Sequence, residues 1–276
     1  MQTQIIDGRK IRDEILSGIK RDIENLSFRP VFCDVLVGDD PASVQYVNMK
    51  KKTAHAVGID FYDAHFPDSI TSEELISEIK KINNISNMSG VIVQLPLPAH
   101  LNSKDILDAI DPRLDVDCLG TVSTENFYKN DVDLIYPTAL ACIHILDSLN
   151  LDLGDKKIVV LGQGRLVGRP VAHLLMNRGL SVSCINSKTE NVFELIKEAD
   201  VIISAIGKGK FIKGAMLKEG VVLIDAGTSE EYGSIVGDID HESATGVASF
   251  VTSTPGGVGP VTIAMLLSNI LKVAKH

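Results

Sequence analysis

The sequence predicts an α/β protein built on parallel sheets, and three observations lead there. Short apolar runs alternate with amphipathic helical patterns along most of the 276 residues, and no hairpin turn signal joins the runs of the first half. In the second half the run ending at Leu161 leads through Gly162-Gln163-Gly164 into a helical pattern, the arrangement of a doubly wound unit. Aromatic residues are 5% and Trp is absent, so core volume must come from Ile, Leu, Val and Ala, as suits sheets buried on both faces.

The elements follow in order. Arg9 to Leu26 carries Ile11, Ile15, Ile19 and Ile23 with charges between, one face of a helix. Val31 to Val37 is a short apolar run between Pro30 and Gly38, hence a buried strand. Ser43 to Val57 reads as a helix, opened by Pro41-Ala42-Ser43 and stopped by Gly58. Ile59 to His65 is a weaker strand. Ser72 to Ile82 is a helix with Thr71 and Glu74 in capping-box spacing. Gly90 to Leu95 is a strand halted by Pro96-Leu97-Pro98, and Asp105 to Ile110 a short helix. Residues 119 to 136 are polar and read as an irregular crossover. Pro137 to Leu149 is a helix, and the domain change is placed there. Strands at 157–161, 180–185, 201–206 and 221–225, with helices at 171–178 and 192–198, complete a Rossmann-like unit. An apolar stretch, Val247 to Val251, and a helix, Val261 to Val273, end the chain.

Composition limits the function. Net charge is −9 with no basic stripe, which argues against nucleic acid as the partner. Cys33, Cys118, Cys142 and Cys184 form no Cys-x-x-Cys pair and no zinc spacing, so no metal is expected. No signal peptide is evident at the N-terminus, and no apolar run reaches the ~20 residues that span a bilayer. A cytoplasmic protein without a membrane partner is expected.

Five motifs carry chemistry. The turn after Leu161 spaces its glycines G-x-G-x-x-x-G between strand and helix, which lets a pyrophosphate reach the helix N-terminus; a tight turn without ligand has the same composition. The next strand ends Ile185-Asn186-Ser187-Lys188-Thr189, with a hydroxyl and a cation where an NAD site places a carboxylate. That leans toward a 2′-phosphate and NADP over NAD, although Lys188 also reads as a plain solvated charge. Tyr46 and Lys50 lie four apart on one helix face, where a lysine can relay a proton if its pKa falls; an ordinary surface helix carries both without a role. Gln94 leaves a buried strand and needs partners for its amide, while Asp115 and Asp117 sit in an irregular stretch that suits either turn chemistry or hydrogen bonds to a heterocycle. Finally, Thr254-Pro255-Gly256-Gly257-Val258-Gly259-Pro260 packs three glycines and two prolines before the last helix. It is either a strand-to-helix turn or a loop shaped around a ligand.

Val37-Gly38-Asp39-Asp40-Pro41-Ala42-Ser43, Tyr46-Val47-x-x-Lys50, Gly90-Val-Ile-Val-Gln94-Leu-Pro-Leu-Pro98, Asp115-Val116-Asp117, Val167-Gly168-Arg169-Pro170 and Thr254 to Pro260 resemble, in order, the methylenetetrahydrofolate dehydrogenase/methenyltetrahydrofolate cyclohydrolase family of the bifunctional FolD type. The resemblance covers nearly the whole chain. It implies an N-terminal three-layer α/β catalytic domain, residues 1–138 joined by the C-terminal helix 260–276. It also implies a Rossmann-like NAD(P)-binding domain with a parallel sheet, residues 139–259, and a cleft between the two. Lys50 would be the acid/base of the cyclohydrolase step, Tyr46 would stack on or orient the folate, Gln94 would tune Lys50, and Asp117 would bind the pterin's amino-pyrimidine edge. Leu95, Pro96, Pro255, Gly256, Gly257 and Pro260 would complete the folate site. Gly162, Gln163, Gly164, Arg165, Val167, Gly168, Ser187, Lys188 and Thr228 would contact NADP. Tetrahydrofolate derivatives are the implied substrates and a homodimer the implied assembly.

The chain departs from the family pattern at Pro137-Thr138-Ala139-Leu140 (usually Pro-Cys-Thr-Pro), at Cys118 (usually Gly) and at Gly162-Gln163-Gly164 (often Gly-Arg-Ser). A dehydrogenase without cyclohydrolase activity is one alternative, opposed by the retention of Lys50 and Gln94. A non-catalytic folate- or nucleotide-binding protein is another, opposed by the intact set of site residues. Room for ligand at Gly256 and Gly257 would make Pro255→Ala or Gly257→Val harm turnover more than folding.

Overall fold

The computed structural model describes residues 2–131, 133–231 and 234–276. The chain forms two compact units, Met1–Asp13 with Thr138–Thr262, and Glu14–Pro137 with Ile263–His276. In chain order come β1 (Gln4–Ile6), α1 (Gly8–Glu24), β2 (Val31–Val37), α2 (Pro41–Val57), β3 (Asp60–Phe66), α3 (Ser72–Ile82), β4 (Met88–Val93), α4 (Ser103–Asp108), α5 (Thr121–Lys129) and α6 (Pro137–Ser148). Then follow β5 (Ile158–Leu161), α7 (Gly168–Asn177), β6 (Val182–Ile185), α8 (Val192–Glu198), β7 (Val201–Ser204), β8 (Val222–Asp225), β9 (Ser229–Glu231), β10 (Ser234–Val236), α9 (His241–Ala244), β11 (Phe250–Thr252) and α10 (Val258–Lys275).

The first unit to consider holds a three-stranded parallel sheet, order β3-β2-β4. Six of the seven residues of β2 are buried, so both of its faces are covered. Phe32 packs with Ile19 and Ile23 of α1, Ala54 and Val57 of α2, and Leu266, Leu267 and Ile270 of α10. Gly90 of β4 makes this approach possible: a Cβ there would stand 2.7 Å from Ile270 Cγ1. The capping box at α3 is formed as the spacing predicts, with Thr71 Oγ1 accepting from Glu74 N and Glu74 Oε2 accepting from Thr71 N.

The other unit holds a six-stranded, all-parallel sheet, order β1-β11-β8-β7-β5-β6. Val159, Leu161, Ile202, Leu223 and Val251 of its strands pack with Ile196, Ile212 and Leu217 in one apolar core.

Four expectations change. Residues 1–13 cluster with the six-stranded unit and not with the rest of 1–138, because β1 pairs in parallel with β11 (Gln4↔Phe250, Ile6↔Thr252). The polar stretch 119–136 contains a helix, α5, which buries only Ser123 and Phe127 and so shows no apolar period. Helix α7 begins at Gly168 rather than Val171, with Pro170 in its first turn, where its missing N–H costs nothing. Antiparallel β9 and β10 were not foreseen; they carry no fully buried residue among those described. Helix α10 is long and apolar enough to cross a membrane, with a mean hydropathy of 1.3, yet Val261, Ala264, Leu267 and Ile270 are fully buried in the protein.

Candidate active site

Asp40 caps α2, its Oδ2 accepting from Ser43 N at 2.8 Å, and Pro41 occupies the first turn. Gly58, at φ 91°, closes the helix by donating to Ala54 O and His55 O. The helix so fixed carries Tyr46 and Lys50 one turn apart. Tyr46 is 45% exposed. The Lys50 side chain is only 12% exposed and points to two acceptors. Its Nζ donates to Gln94 Oε1 at 2.8 Å and lies 2.5 Å from Asp34 Oδ2.

Gln94 is held for that contact. Its backbone N donates to Val35 O at 2.9 Å, continuing the ladder beyond β4. Its Nε2 donates to Leu95 O at 2.7 Å, which leaves Oε1 facing Lys50. Leu95 and Pro96 follow directly, joined by a cis peptide.

Sequence reasoning passed over Asp34. It lies in the middle of β2, with a side chain 0% exposed, and its Oδ1 has no hydrogen-bond partner among the described residues. Burial pushes its pKa up, and the Lys50 charge and hydrogen bond pull it back. The signal was available: one carboxylate inside Val-Phe-Cys-Asp-Val-Leu-Val must have a partner if the strand is buried.

Asp117 belongs to a turn built by Asp115. Asp115 bridges to Val91 of β4, and its carboxylate accepts from Gly120 N at 2.7 Å and Leu119 N at 3.3 Å. Asn269 of α10 fastens the same turn, donating to Val116 O at 2.9 Å and to Ile135 O at 2.7 Å. Loss of hydration pushes the Asp117 carboxyl up to about 7; Lys50 opposes the rise, and Asp115 and Asp34 add to it. Lys50, Gln94 and Asp34 are thus in contact, and Asp117 stands within their electrostatic reach.

In the six-stranded unit the glycine turn is shaped mainly by the protein itself. Gly162 adopts φ 87°, and a Cβ there would meet Ala205 O at 2.4 Å. A Cβ on Gly168 would overlap Gly162 O. Gly164 differs, with open space where a side chain would be. Arg165, Ser187, Lys188 and Thr228 are exposed and Val167 is half-buried. Gln163 folds back, its Nε2 donating to Val160 O at 3.2 Å and Gly162 O at 3.0 Å. Two buried carboxylates, also missed from sequence, shape the loops after β7 and β8. Asp238 accepts from Ser204 Oγ, Ile206 N and Lys208 N, and Asp225 accepts from the N–H groups of Gly227, Asp238 and Ile239. Burial raises the Asp225 pKa to about 6 against those hydrogen bonds.

The Thr254–Pro260 loop is a turn with a cis Thr254–Pro255 peptide, and α10 starts at Val258. Gly256 sits at φ 107°. The space at Gly257 is taken by the chain: a Cβ would stand 2.4 Å from Ser253 O, and a Cβ on Gly8 would overlap Gly257 O. Gly257 is therefore closely packed by the chain itself, so its replacement is expected to cost stability as well as turnover. Pro255 and Gly259 are exposed and Pro260 half-buried.

Two family models match, tetrahydrofolate dehydrogenase/cyclohydrolase, catalytic domain, over residues 6–117 and tetrahydrofolate dehydrogenase/cyclohydrolase, NAD(P)-binding domain, over residues 136–276. The chain belongs to this family. It is similar to the bifunctional protein FolD of Acetivibrio thermocellus, 38% identical over 279 residues that cover 100% of this chain and 98% of that one. The solved bifunctional FolD of Campylobacter jejuni matches with a TM-score of 0.94 and 35% identity, covering 99% of each chain. That of Trypanosoma brucei, complexed with NADP cofactor and inhibitor, matches at 0.93 and 31%, covering 100% of this chain and 98% of the other.

Two departures from the family pattern now have a physical description. Cys118 adopts φ 59°, a left-handed conformation that the family's usual Gly takes without strain. Pro137-Thr138-Ala139-Leu140 form the first turn of α6, with proline at the position where helices accept it best.

Proposed function

We propose that Lys50 is the proton-transfer group of a bifunctional one-carbon folate enzyme, which oxidises 5,10-methylenetetrahydrofolate to the methenyl form with NADP and hydrolyses that to 10-formyltetrahydrofolate. The observation that carries this reading is the Lys50 ammonium held between Gln94 Oε1 and Asp34 Oδ2, at 2.8 and 2.5 Å. Water attack on the methenyl carbon and ring opening both require proton movement, and a lysine in a half-enclosed site can move protons. Tyr46, exposed one turn away, offers a ring face to the folate. Asp117 accepts hydrogen bonds from the amino-pyrimidine edge, and Leu95, Pro96, Pro255, Gly256 and Pro260 are proposed as further folate contacts.

The residues of the six-stranded unit fit a dinucleotide. The open space at Gly164 leaves room for a pyrophosphate beside the start of α7, where Arg169 N donates to Gly164 O and Pro170 has no N–H to offer. Arg165, Ser187, Lys188 and Thr228 would hold the remainder, Ser187 and Lys188 toward a 2′-phosphate. When bound, NADP supplies the two-electron acceptor for the oxidation. The protein is proposed to act as a cytoplasmic homodimer.

Lys50→Ala tests the central assignment. We expect NADP reduction with methylenetetrahydrofolate to persist, while loss of methenyl absorbance slows by ~10²–10⁴-fold. Unchanged hydrolysis would remove Lys50 from the mechanism.

A further inference from the structure

We propose that Asp34 is a positioning residue for the hydrolytic step: its buried carboxylate fixes the Lys50 ammonium against Gln94 and takes up the ammonium proton, so that Lys50 meets water as a neutral amine. This rests on Lys50 being the proton-transfer group and extends that role to a second residue.

The geometry requires a reason for Asp34. A lysine charge meets an acceptor well enough through Gln94 Oε1 alone. Placing a carboxylate inside a seven-residue apolar strand is costly, and this one has a side chain with no solvent exposure and an Oδ1 without a partner. Among the described residues, only Lys50 Nζ, 2.5 Å from Oδ2, compensates its charge. An unsolvated carboxylate beside an amine can accept the proton at small cost, because the pair stays neutral overall whichever partner holds it.

The surrounding charge acts on both partners: Asp117 attracts the Lys50 ammonium more than it repels the Asp34 carboxylate, so the transfer is easiest where Asp117 is itself protonated. From the turn after α4, Asp117 faces the pair, while Asp115 acts on Asp117 and has its carboxylate held by Gly120 N and Leu119 N. From β3, Asp63 lies in register with Asp34, but its carboxylate is occupied by Lys51 of α2, at 2.7 and 2.8 Å. Gln94, beyond β4, is neutral. The Asp34–Lys50 pair is thus the unit that can exchange a proton internally, with Asp117 within electrostatic reach of both partners.

The proton balance closes. Lys50 Nζ loses one proton and Asp34 Oδ2 gains it. As the water oxygen bonds to the methenyl carbon, the amine takes a proton from that water. The ammonium then protonates N5 as the C–N5 bond breaks, and the carbinol hydroxyl loses its proton to solvent as the formyl carbonyl forms.

The test is Asp34→Asn, with both activities measured from pH 6 to 10. The amide keeps the shape and removes the proton acceptor, so Lys50 must lose its proton to solvent. We expect methenyl hydrolysis at neutral pH to fall at least tenfold and to climb about tenfold per pH unit at alkaline pH, with methylenetetrahydrofolate oxidation within about threefold of wild type. Unchanged hydrolysis, or an equal loss of both activities without change in the shape of the pH profile, would overturn the proposal. If Lys50→Ala leaves hydrolysis intact, the reading of Lys50 itself fails, a different outcome. Should the Asn variant not fold, competitive acetylation of wild-type Lys50 with acetic anhydride, read by mass spectrometry against exposed Lys52, decides the matter. A neutral-amine fraction set within the pair is flat between pH 7 and 9, whereas a Lys50 reactivity that rises with pH as Lys52 does would sink the idea.

Discussion

Replacing Asp117 by Asn should stabilise the protein while damaging its function, and the size of the gain should depend on pH. The rise of the carboxyl from 3.8 to about 7 corresponds to ~4 kcal/mol at ~1.4 kcal/mol per pKa unit. Asp117 keeps some contact with solvent, which screens its charge, so ~1–3 kcal/mol is the working figure. The sign follows from linkage. Below about pH 4 the group is neutral in both states. Between about pH 4 and pH 7 it ionises in the unfolded chain but not in the folded one, and stability is lost as pH rises through that window. Above about pH 7 the loss is complete and constant. Asn carries no such penalty, so the variant's advantage should be smallest at the acid end, near pH 4, and reach its full value at pH 8. Urea unfolding followed by circular dichroism at several pH values measures this. An advantage that does not change with pH, or a variant less stable than wild type at pH 8, would refute the argument. In the parent protein the KM for folate should fall as pH rises through about 7, because only the carboxylate accepts both hydrogen bonds from the pterin edge.

Two further outcomes concern packing and capping. Gly257→Ala puts a methyl 2.4 Å from Ser253 O and should cost ~1–3 kcal/mol in urea unfolding; stability equal to wild type would show that the loop yields freely. Thr71→Ala removes one half of the α3 capping box and should cost ~1 kcal/mol with both activities intact; an equal loss of turnover would indicate a wider role.

Where a residue pattern has one physical cause, the sequence was readable. β2 and α3 run between the residues expected, because Pro30 and Gly38 bound the one and a capping box opens the other. The spacing of Tyr46 and Lys50 set them on one face of α2, and the amide of Gln94 at a strand end required a partner, which Lys50 supplies; their roles rested on the family motifs alone. Other features depend on partners far along the chain. Asp34 looks like a blemish in an apolar run until Lys50 reaches it from α2. Asn269 sits in the apolar helix α10, and nothing local tells that it ties down the turn carrying Asp117. Asp225 reads as the last residue of a strand and Asp238 falls outside any expected element, yet they bind the N–H groups of two loops. The three-residue β1 is too short to show a period and is defined only by β11.

That pairing bears on how the polypeptide can be divided. β1 forms one margin of the six-stranded sheet, and it lies outside the residues 136–276 matched by the NAD(P)-binding family model. A fragment starting at residue 136 would leave the β11 edge bare, with unpaired amide and carbonyl groups ready to recruit another chain. A split protein would therefore need the first dozen residues, supplied as a peptide or grafted ahead of α6, before its second piece stayed monodisperse.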